Sequence, residues 1–355
     1  MDADEARSLV MADDAADALV SGDAGAALLG PARAAVPGCV AVRNARRLTG
    51  GANQETWAFD AVTQSDEVPL ILRRARGGSL SRDSGIGLEA EAALILAVHA
   101  AGVPVPEVLH RLAPEDKLGR GFIMRRIAGE TIPRRLLRDD AFAAVRPALA
   151  AMCGRAMAQI HSVPAHNLKT LLHFYTPRER VEWLHARLHA TRQASPVFSY
   201  ALAWLRDHAP APPEAAALVH GDFRNGNLMI GPEGLRAVLD WENAHLGDPA
   251  EDLGWFCVPS WRFGHLDRPA GGFGSREELL AGYEAQAGQR PSPDRLRFWE
   301  AYGSLYWGMV CARSVEEFRG GSDATVERAM IARRRSEAEL DLLRLIAPRK
   351  AKAHV

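Results

Sequence analysis

The stretch that most constrains what this chain can fold into is residues 218–242, LVHGDFRNGNLMIGPEGLRAVLDWE. Two short apolar runs, Leu228-Met229-Ile230 and Ala237-Val238-Leu239, flank the turn Gly231-Pro232-Glu233-Gly234, which is the pattern of a β-hairpin. Ahead of it, Leu218 and Val219 lead into His220, Gly221 and Asp222, and the chain then loops through Arg224, Asn225 and Asn227. The second run ends on Asp240, so the two strands are expected to gather Asp222, Asn227 and Asp240 at one end. Two carboxylates and an amide are oxygen donors for a hard cation. Magnesium prefers a carboxylate or two plus substrate phosphates over an all-protein cage, so the pattern points to phosphate chemistry.

The rest of the composition sets bounds. A chain of 355 residues with 47% hydrophobic and 25% charged side chains has enough apolar mass for one large core or two lobes. Its formal net charge of −1 provides no field to attract nucleic acid or an anionic membrane, and neither is an expected partner. Asymmetry is confined to the ends: residues 1–23 are acidic, while the tail 348–355 is basic and expected to fray. Cys39, Cys153, Cys257 and Cys311 are too widely spread for a finger or CxxC spacing and read as buried free thiols. The N-terminus lacks the basic start and apolar core of a signal peptide, and no uncharged apolar run has the length of a membrane span, so a cytoplasmic location is expected.

Taken in order, residues 5–30 have apolar positions at helical spacing, and 31–38 reads as a linker. Strands are expected at 39–48 and 56–62, separated by a turn containing Gly50 and Gly51, whose missing Cβ atoms would let backbone N–H groups approach an anion. A plain hairpin is the other reading of that glycine pair. Residues 69–74 form a third strand ending in Arg73 and Arg74, 88–101 a helix containing Glu91, and 121–124 a further strand. From 129 onward the pattern is mainly helical, with one long helix expected over 142–160, a helical insertion at 167–210, and a final helix over 325–346. The insertion has six Lys and Arg against three Asp and Glu, a balance that suits an anionic ligand or a solvated face. His161 reads as a helix-end or packed residue, and Asp248 as the cap of the helix that Pro249 opens.

The five-residue step from Asp222 to Asn227, followed by an Asp after a hairpin, is the spacing of base, metal amide and metal carboxylate in kinases. His220-Gly221-Asp222 through Asn227, with Asp240-Trp241-Glu242, resembles the signature of the aminoglycoside phosphotransferase and choline kinase superfamily, whose fold is that of the protein kinases. The resemblance spans residues 40–320 and implies an α+β, two-lobed fold: a small N-terminal antiparallel-sheet lobe over 39–128 and a larger, mainly helical lobe over 129–347, flanked by residues 1–38 and 348–355. Gly50, Gly51, Asn53 and Thr56 match the superfamily's Gly-Gly-x-Asn-x-x-Thr loop. Arg73 falls where the kinase strand presents a Lys to the phosphates, a departure found in the branch that resembles kinase domains associated with acyl-CoA dehydrogenases. Glu91 falls at the helix position that pairs with that basic residue, and Met124, Arg125, Arg126 and Ile127 at the adenine-binding connector. Asp252 corresponds to a buried helix aspartate bracing the loop that holds the base.

On this reading ATP and Mg2+ are the cofactors. Asp222 is the base, Asn227 and Asp240 hold the metal, Arg224 can neutralise charge on the transferred group, and Glu242 assists a second metal or faces solvent. The activity implied is transfer of the γ-phosphate of ATP to a hydroxyl of a small molecule, with a hydroxyacyl-CoA or related hydroxy compound as acceptor. An aminoglycoside-type antibiotic phosphotransferase is the alternative, although residues 255–328 hold ten acidic and nine basic side chains where a polycation would call for acidic walls. Readings of another kind are a nucleotide-binding regulator without catalysis and a phosphoesterase built on His220, Asp222, Asp240, His245 and Asp248. The expected partners are a nucleotide and a small hydroxylated substrate, and the expected assembly is a monomer or homodimer.

Overall fold

The computed structural model describes residues 24–48, 54–75, 85–191 and 195–347. The acidic N-terminal segment, the loop positions Gly50, Gly51 and Asn53, and the basic tail lie outside the described residues. The chain divides into two compact units, one of Met1–Gly129 with Arg236–Ala244, the other of Glu130–Leu235 with His245–Val355.

In the first unit, helix α1 (Ala24–Ala35) precedes strands β1 (Ala41–Leu48), β2 (Gln54–Val62) and β3 (Glu67–Ala75), helix α2 (Leu88–Ala100), and strands β4 (Val108–Arg111) and β5 (Gly121–Arg125). The strands form one antiparallel sheet in the order β1-β2-β3-β5-β4. Alternation along each strand sorts its side chains between two faces. Trp57, Phe59, Leu70, Leu72 and Ile123 pack with Leu28, Ala32 and Ala35 of α1 into one core. The alternate positions of β3, Ile71 and Arg73, lie on the other face, opposite Ala58 and Thr56 of β2.

Helix α1 corrects the linker expected at 31–38, because it continues through Pro31 to Ala35. A proline inside a helix forfeits a backbone hydrogen bond at a cost of about 3 kcal/mol. Burial of Leu28, Pro31, Ala32 and Ala35 offsets that loss.

The second unit is mainly helical: α3 (Pro133–Arg138), α4 (Leu149–His161), α5 (Pro177–Ala190), α6 (Pro196–Asp207), α7 (Ala250–Phe256), α8 (Arg276–Ala287), α9 (Pro293–Arg319), α10 (Val326–Ala332) and α11 (Arg335–Ile346). Strand β6 (Ala217–Val219) pairs antiparallel with β9 (His245–Gly247), and the hairpin between them is β7 (Leu228–Gly231) and β8 (Gly234–Val238), the latter running into the segment grouped with the first unit. Val181, Leu184, Phe198, Leu205, Trp299, Leu305 and Leu342 join α5, α6, α9 and α11 in a shared core.

Two expected helices are shorter here. The one placed at 142–160 begins at Leu149, because Pro147 falls in the preceding 3-10 turn Arg146–Ala148 and cannot continue an α-helical ladder. The final helix is two, broken at Arg333 and Arg334, where Arg334 turns aside to donate to the Ser260 carbonyl at 3.3 Å and lie over Trp307. All four cysteines are buried and free. No helix among the described residues is long and apolar enough to cross a membrane.

Candidate active site

In the second unit the chain leaves β6 at His220 and turns sharply, because Gly221 adopts φ 79°, a conformation that favours glycine. Asp252, in α7 and fully buried, holds this turn from beneath: its carboxylate accepts the backbone N–H of His220 at 2.8 Å and of Gly221 at 2.9 Å, and His161 Nε2 lies 3.0 Å away. His161 in turn meets the Tyr283 hydroxyl at 3.0 Å. Burial raises the Asp252 carboxyl, but the hydrogen bond and charge of His161 and the contacts of His220 outweigh it and hold the group below its ordinary value.

A carboxyl lowered in the folded state stabilises above its unfolded value of about 3.9 and loses that contribution as the pH falls below it. Asp252→Ala is therefore expected to destabilise by roughly 3–5 kcal/mol at pH 7, the cost of breaking a buried charged pair. Denaturant unfolding of the two proteins at pH 7 and again below pH 4 checks this, with the gap narrowing in acid.

The turn presents Asp222. Donors to its carboxylate include Trp255 Nε1–H to Oδ1 at 2.9 Å, Asn227 Nδ2 to Oδ2 at 2.8 Å, and Arg224 Nε to both oxygens at 3.1 and 3.2 Å. Asn227 also donates to the Asp222 carbonyl, so its Nδ2 is fully committed and the amide oxygen is the atom it has left for a cation. Arg224 is folded back onto Asp222 and over the ring of Trp261, rather than extended. Neighbouring Asn225, buried, ties the loop to the carbonyls of Trp261 and Gly271.

The first unit holds a second constellation. Arg73 on β3 pairs through Nη1 with Glu91 of α2 at 2.9 Å and through Nη2 with Asp240 at 3.1 Å, and Gln54 Oε1 accepts from its Nε and Nη2 at 3.1 and 2.6 Å. Gln54 Nε2 reaches Glu242, and Glu91 accepts the backbone N–H of Trp241. Burial opposes the charge on Arg73, but Glu91, Asp240 and Glu242 overcome it and hold the guanidinium more firmly protonated. For Glu91 burial wins and pushes the carboxyl up, against the pull of Arg73. These shifts oppose one another across one contact; since the pair meets at 2.9 Å, we take it as ionic. Arg74, by contrast, is buried beside Glu55 at 2.8 Å and belongs to the sheet's structure.

Thr56 is directly opposite Arg73 in the sheet, and Met124 opposite Ile71. Of the connector residues, Arg125 and Arg126 donate their amides to the carbonyls of Glu107 and Pro69, and Arg126 pairs with Asp60 at 2.6 Å. Their N–H groups are therefore committed to the protein's own backbone. His245 and Asp248, members of the phosphoesterase set, are buried in scaffold contacts: His245 with Glu251, and Asp248 with Arg295, Trp299 and the Ala250 amide.

Sequence reasoning missed Trp255 and Gln54 as partners of the site. Gln54 had a signal, since it lies two residues before Thr56 on the strand facing Arg73. Trp255 had none, because its bond to Asp222 depends on how α7 packs.

A family model described as phosphotransferase enzyme family matches residues 44–299, well over half of the chain. Acyl-CoA dehydrogenase family member 10 of Mus musculus is 32% identical over 200 residues, covering 53% of this chain and 18% of the relative. Acyl-CoA dehydrogenase family member 11 of Pongo abelii is 28% identical over 232 residues, covering 60% of this chain and 29% of the relative. The chain thus spans less than a third of the length of these curated relatives. Among solved structures, a Ralstonia eutropha protein assigned as an aminoglycoside phosphotransferase superposes with TM-score 0.72 at 22% identity, covering 90% of this chain and 97% of the other. A choline/ethanolamine kinase family protein from Mesorhizobium loti gives 0.60 at 21%, covering 88% and 93%, and aminoglycoside phosphotransferase APH(4)-Ia in complex with AMP-PNP and hygromycin B gives 0.55 at 18%, covering 85% and 94%. These likenesses establish a kinase-like fold, and with the family match they establish that the chain belongs to the phosphotransferase enzyme family.

Proposed function

We propose that this phosphotransferase uses ATP and transfers the γ-phosphate to a hydroxyl of a small molecule. The observation that carries the reading is the Asp222 carboxylate, fixed by Trp255, Asn227 and Arg224 at the end of a turn braced by Asp252. Such a group can accept the proton of an acceptor hydroxyl and align its oxygen for attack. Arg73, held by Glu91, would contact the nucleotide phosphates, with Thr56 on the same face and the glycines Gly50 and Gly51 and Asn53 in the preceding loop. The adenine base would meet backbone groups of the connector Met124 to Ile127.

Asn227 and Asp240 are the residues that would hold magnesium. Their donor chemistry fits: an amide oxygen left over once Nδ2 is committed, and a carboxylate of which only Oδ1 is tied to Arg73. Asp240 also sits at φ 67°, an uncommon conformation of the kind that clusters at functional sites. Bound magnesium supplies charge neutralisation on the phosphates. Arg224, released from Asp222, would add a second cation beside the transferred group.

For the acceptor we favour a hydroxyacyl-CoA or related hydroxy compound. The matched relatives are acyl-CoA dehydrogenase family members, and the near-even charge of residues 255–328 is a poor match for a polycationic antibiotic. Thermal unfolding with Mg-ATP tests the nucleotide part: at a hundredfold excess over Kd the ligand is expected to stabilise by about 2.7 kcal/mol. A melting temperature that does not move with ATP or ADP, with or without magnesium, would contradict it.

A further inference from the structure

The carboxylate of Asp222 is more fully engaged than a base awaiting its substrate should be. A carboxylate offers about four acceptor sites. Trp255 takes one on Oδ1 and Asn227 one on Oδ2, while Arg224 Nε bridges the two oxygens at the longest distances of the set, 3.1 and 3.2 Å. Trp255 and Asn227 thus clamp opposite oxygens and prevent rotation of the group. Arg224 is the weakest and most exposed of the three.

Trp255 is itself held by ring packing. Its indole lies 5.0 Å from Trp261 and 5.6 Å from Tyr306, centroid to centroid. On α9, Gly303 leaves room for it: a Cβ there would come within 2.9 Å of the indole Cε3. The aromatic cluster of Trp255, Val258 and Trp261, with Tyr306 and Trp307 against it, therefore fixes where one N–H points. An indole donates and never accepts, and it has no charge to exchange, so it constrains the carboxylate without competing for the proton.

We propose that Trp255 is the positioning residue of the transfer, holding Oδ1 of Asp222 so that the acceptor hydroxyl is met at the position Arg224 now shares. This rests on the phosphotransfer reading above, in which Asp222 takes the hydroxyl proton. The aromatic cluster then serves as the rigid mount of the base.

The test pairs a spectroscopic reading with a kinetic one. In protein labelled with 15N-tryptophan, the Trp255 indole N–H resonance is identified by its loss in Trp255→Phe. It is expected to shift and to exchange faster with solvent in Asp222→Ala, while the indole of Trp299, bound to Asp248, stays in place. In turnover assays Trp255→Phe, which keeps an aromatic ring against Trp261 and Tyr306, is expected to lower kcat roughly ten- to a hundredfold, the weight of one hydrogen bond to a charged group. KM for ATP should be unchanged, and Trp255→His, which restores a ring N–H, should recover part of the loss. An indole resonance indifferent to Asp222→Ala, or a Trp255→Phe enzyme with wild-type kcat, would overturn the proposal. A wild-type protein inert towards every acceptor would instead overturn the phosphotransfer reading, because the resonance reports the contact without turnover.

Discussion

Asp222→Asn is expected to lower turnover by roughly two to four orders of magnitude, the usual weight of a positioned general base, while leaving the thermal shift with Mg-ATP in place. The substitution keeps the shape of the side chain, and its amide oxygen can still accept from Trp255 or Arg224. What it removes is the capacity to take a proton. The Asp252 brace acts on the backbone of His220 and Gly221 and does not involve the Asp222 side chain, so the turn should survive. Isothermal titration with a non-hydrolysable ATP analogue, beside steady-state ADP release, separates the two quantities. Loss of nucleotide binding with turnover intact would reverse the assignment of roles.

Arg73→Ala should have the largest effect in the first unit. Glu91 has no exposed surface, and Arg73 is its paired cation, so removing the guanidinium leaves a buried carboxylate uncompensated at a cost of roughly 3–5 kcal/mol. The pH dependence follows from the sign of the Glu91 shift. A carboxyl raised in the folded state stabilises below its unfolded value and loses that contribution as the pH rises through its folded value. Burial already pushes Glu91 up, and losing Arg73 raises it further. The variant should accordingly be closer to wild type at pH 5 than at pH 8, and adding Glu91→Gln should recover much of the stability at pH 8. Nucleotide affinity should fall and stay low in the double variant, because on the proposed reading Arg73 is the cation that meets the phosphates. Chemical denaturation of all three proteins at both pH values, with nucleotide titrations, measures each part.

What could be read from the sequence was whatever is local or periodic. Asp222 and Asn227 meet because they are five residues apart across one tight loop, whereas the pairing of Arg73 at a strand end with Glu91 in a helix first turn came with the family resemblance. Individual strands within residues 39–124 and the helical spacing beyond 129 were legible from the apolar runs, whereas the antiparallel pairing of those strands came with the family resemblance. Other features depend on packing that no spacing encodes. Pro31 reads as a helix stop, yet α1 passes through it because the buried face of that helix outweighs one lost bond. Arg333 and Arg334 read as part of a continuous helix, but Arg334 finds Ser260 and Trp307, and the helix breaks. Trp255 lies 33 residues beyond Asp222 in the chain and reaches it only because α7 and the ring contacts of Trp261 and Tyr306 aim its indole. Arg224 could be placed near Asp222 from its position two residues on, but not its fold-back onto the Asp222 carboxylate.

The most direct measurement of the central claim is product analysis. Wild-type protein and Asp222→Asn are incubated with Mg-ATP and a panel of hydroxyacyl-CoAs, amino alcohols, sugars and aminoglycosides, and phosphorus NMR follows ADP and new phosphomonoesters. Wild type is expected to form ADP and one phosphomonoester in equal amounts with a hydroxylated acceptor, and Asp222→Asn to form both at a rate lower by roughly two to four orders of magnitude. Equal product from both proteins, or no phosphomonoester from wild type with any acceptor, would contradict it.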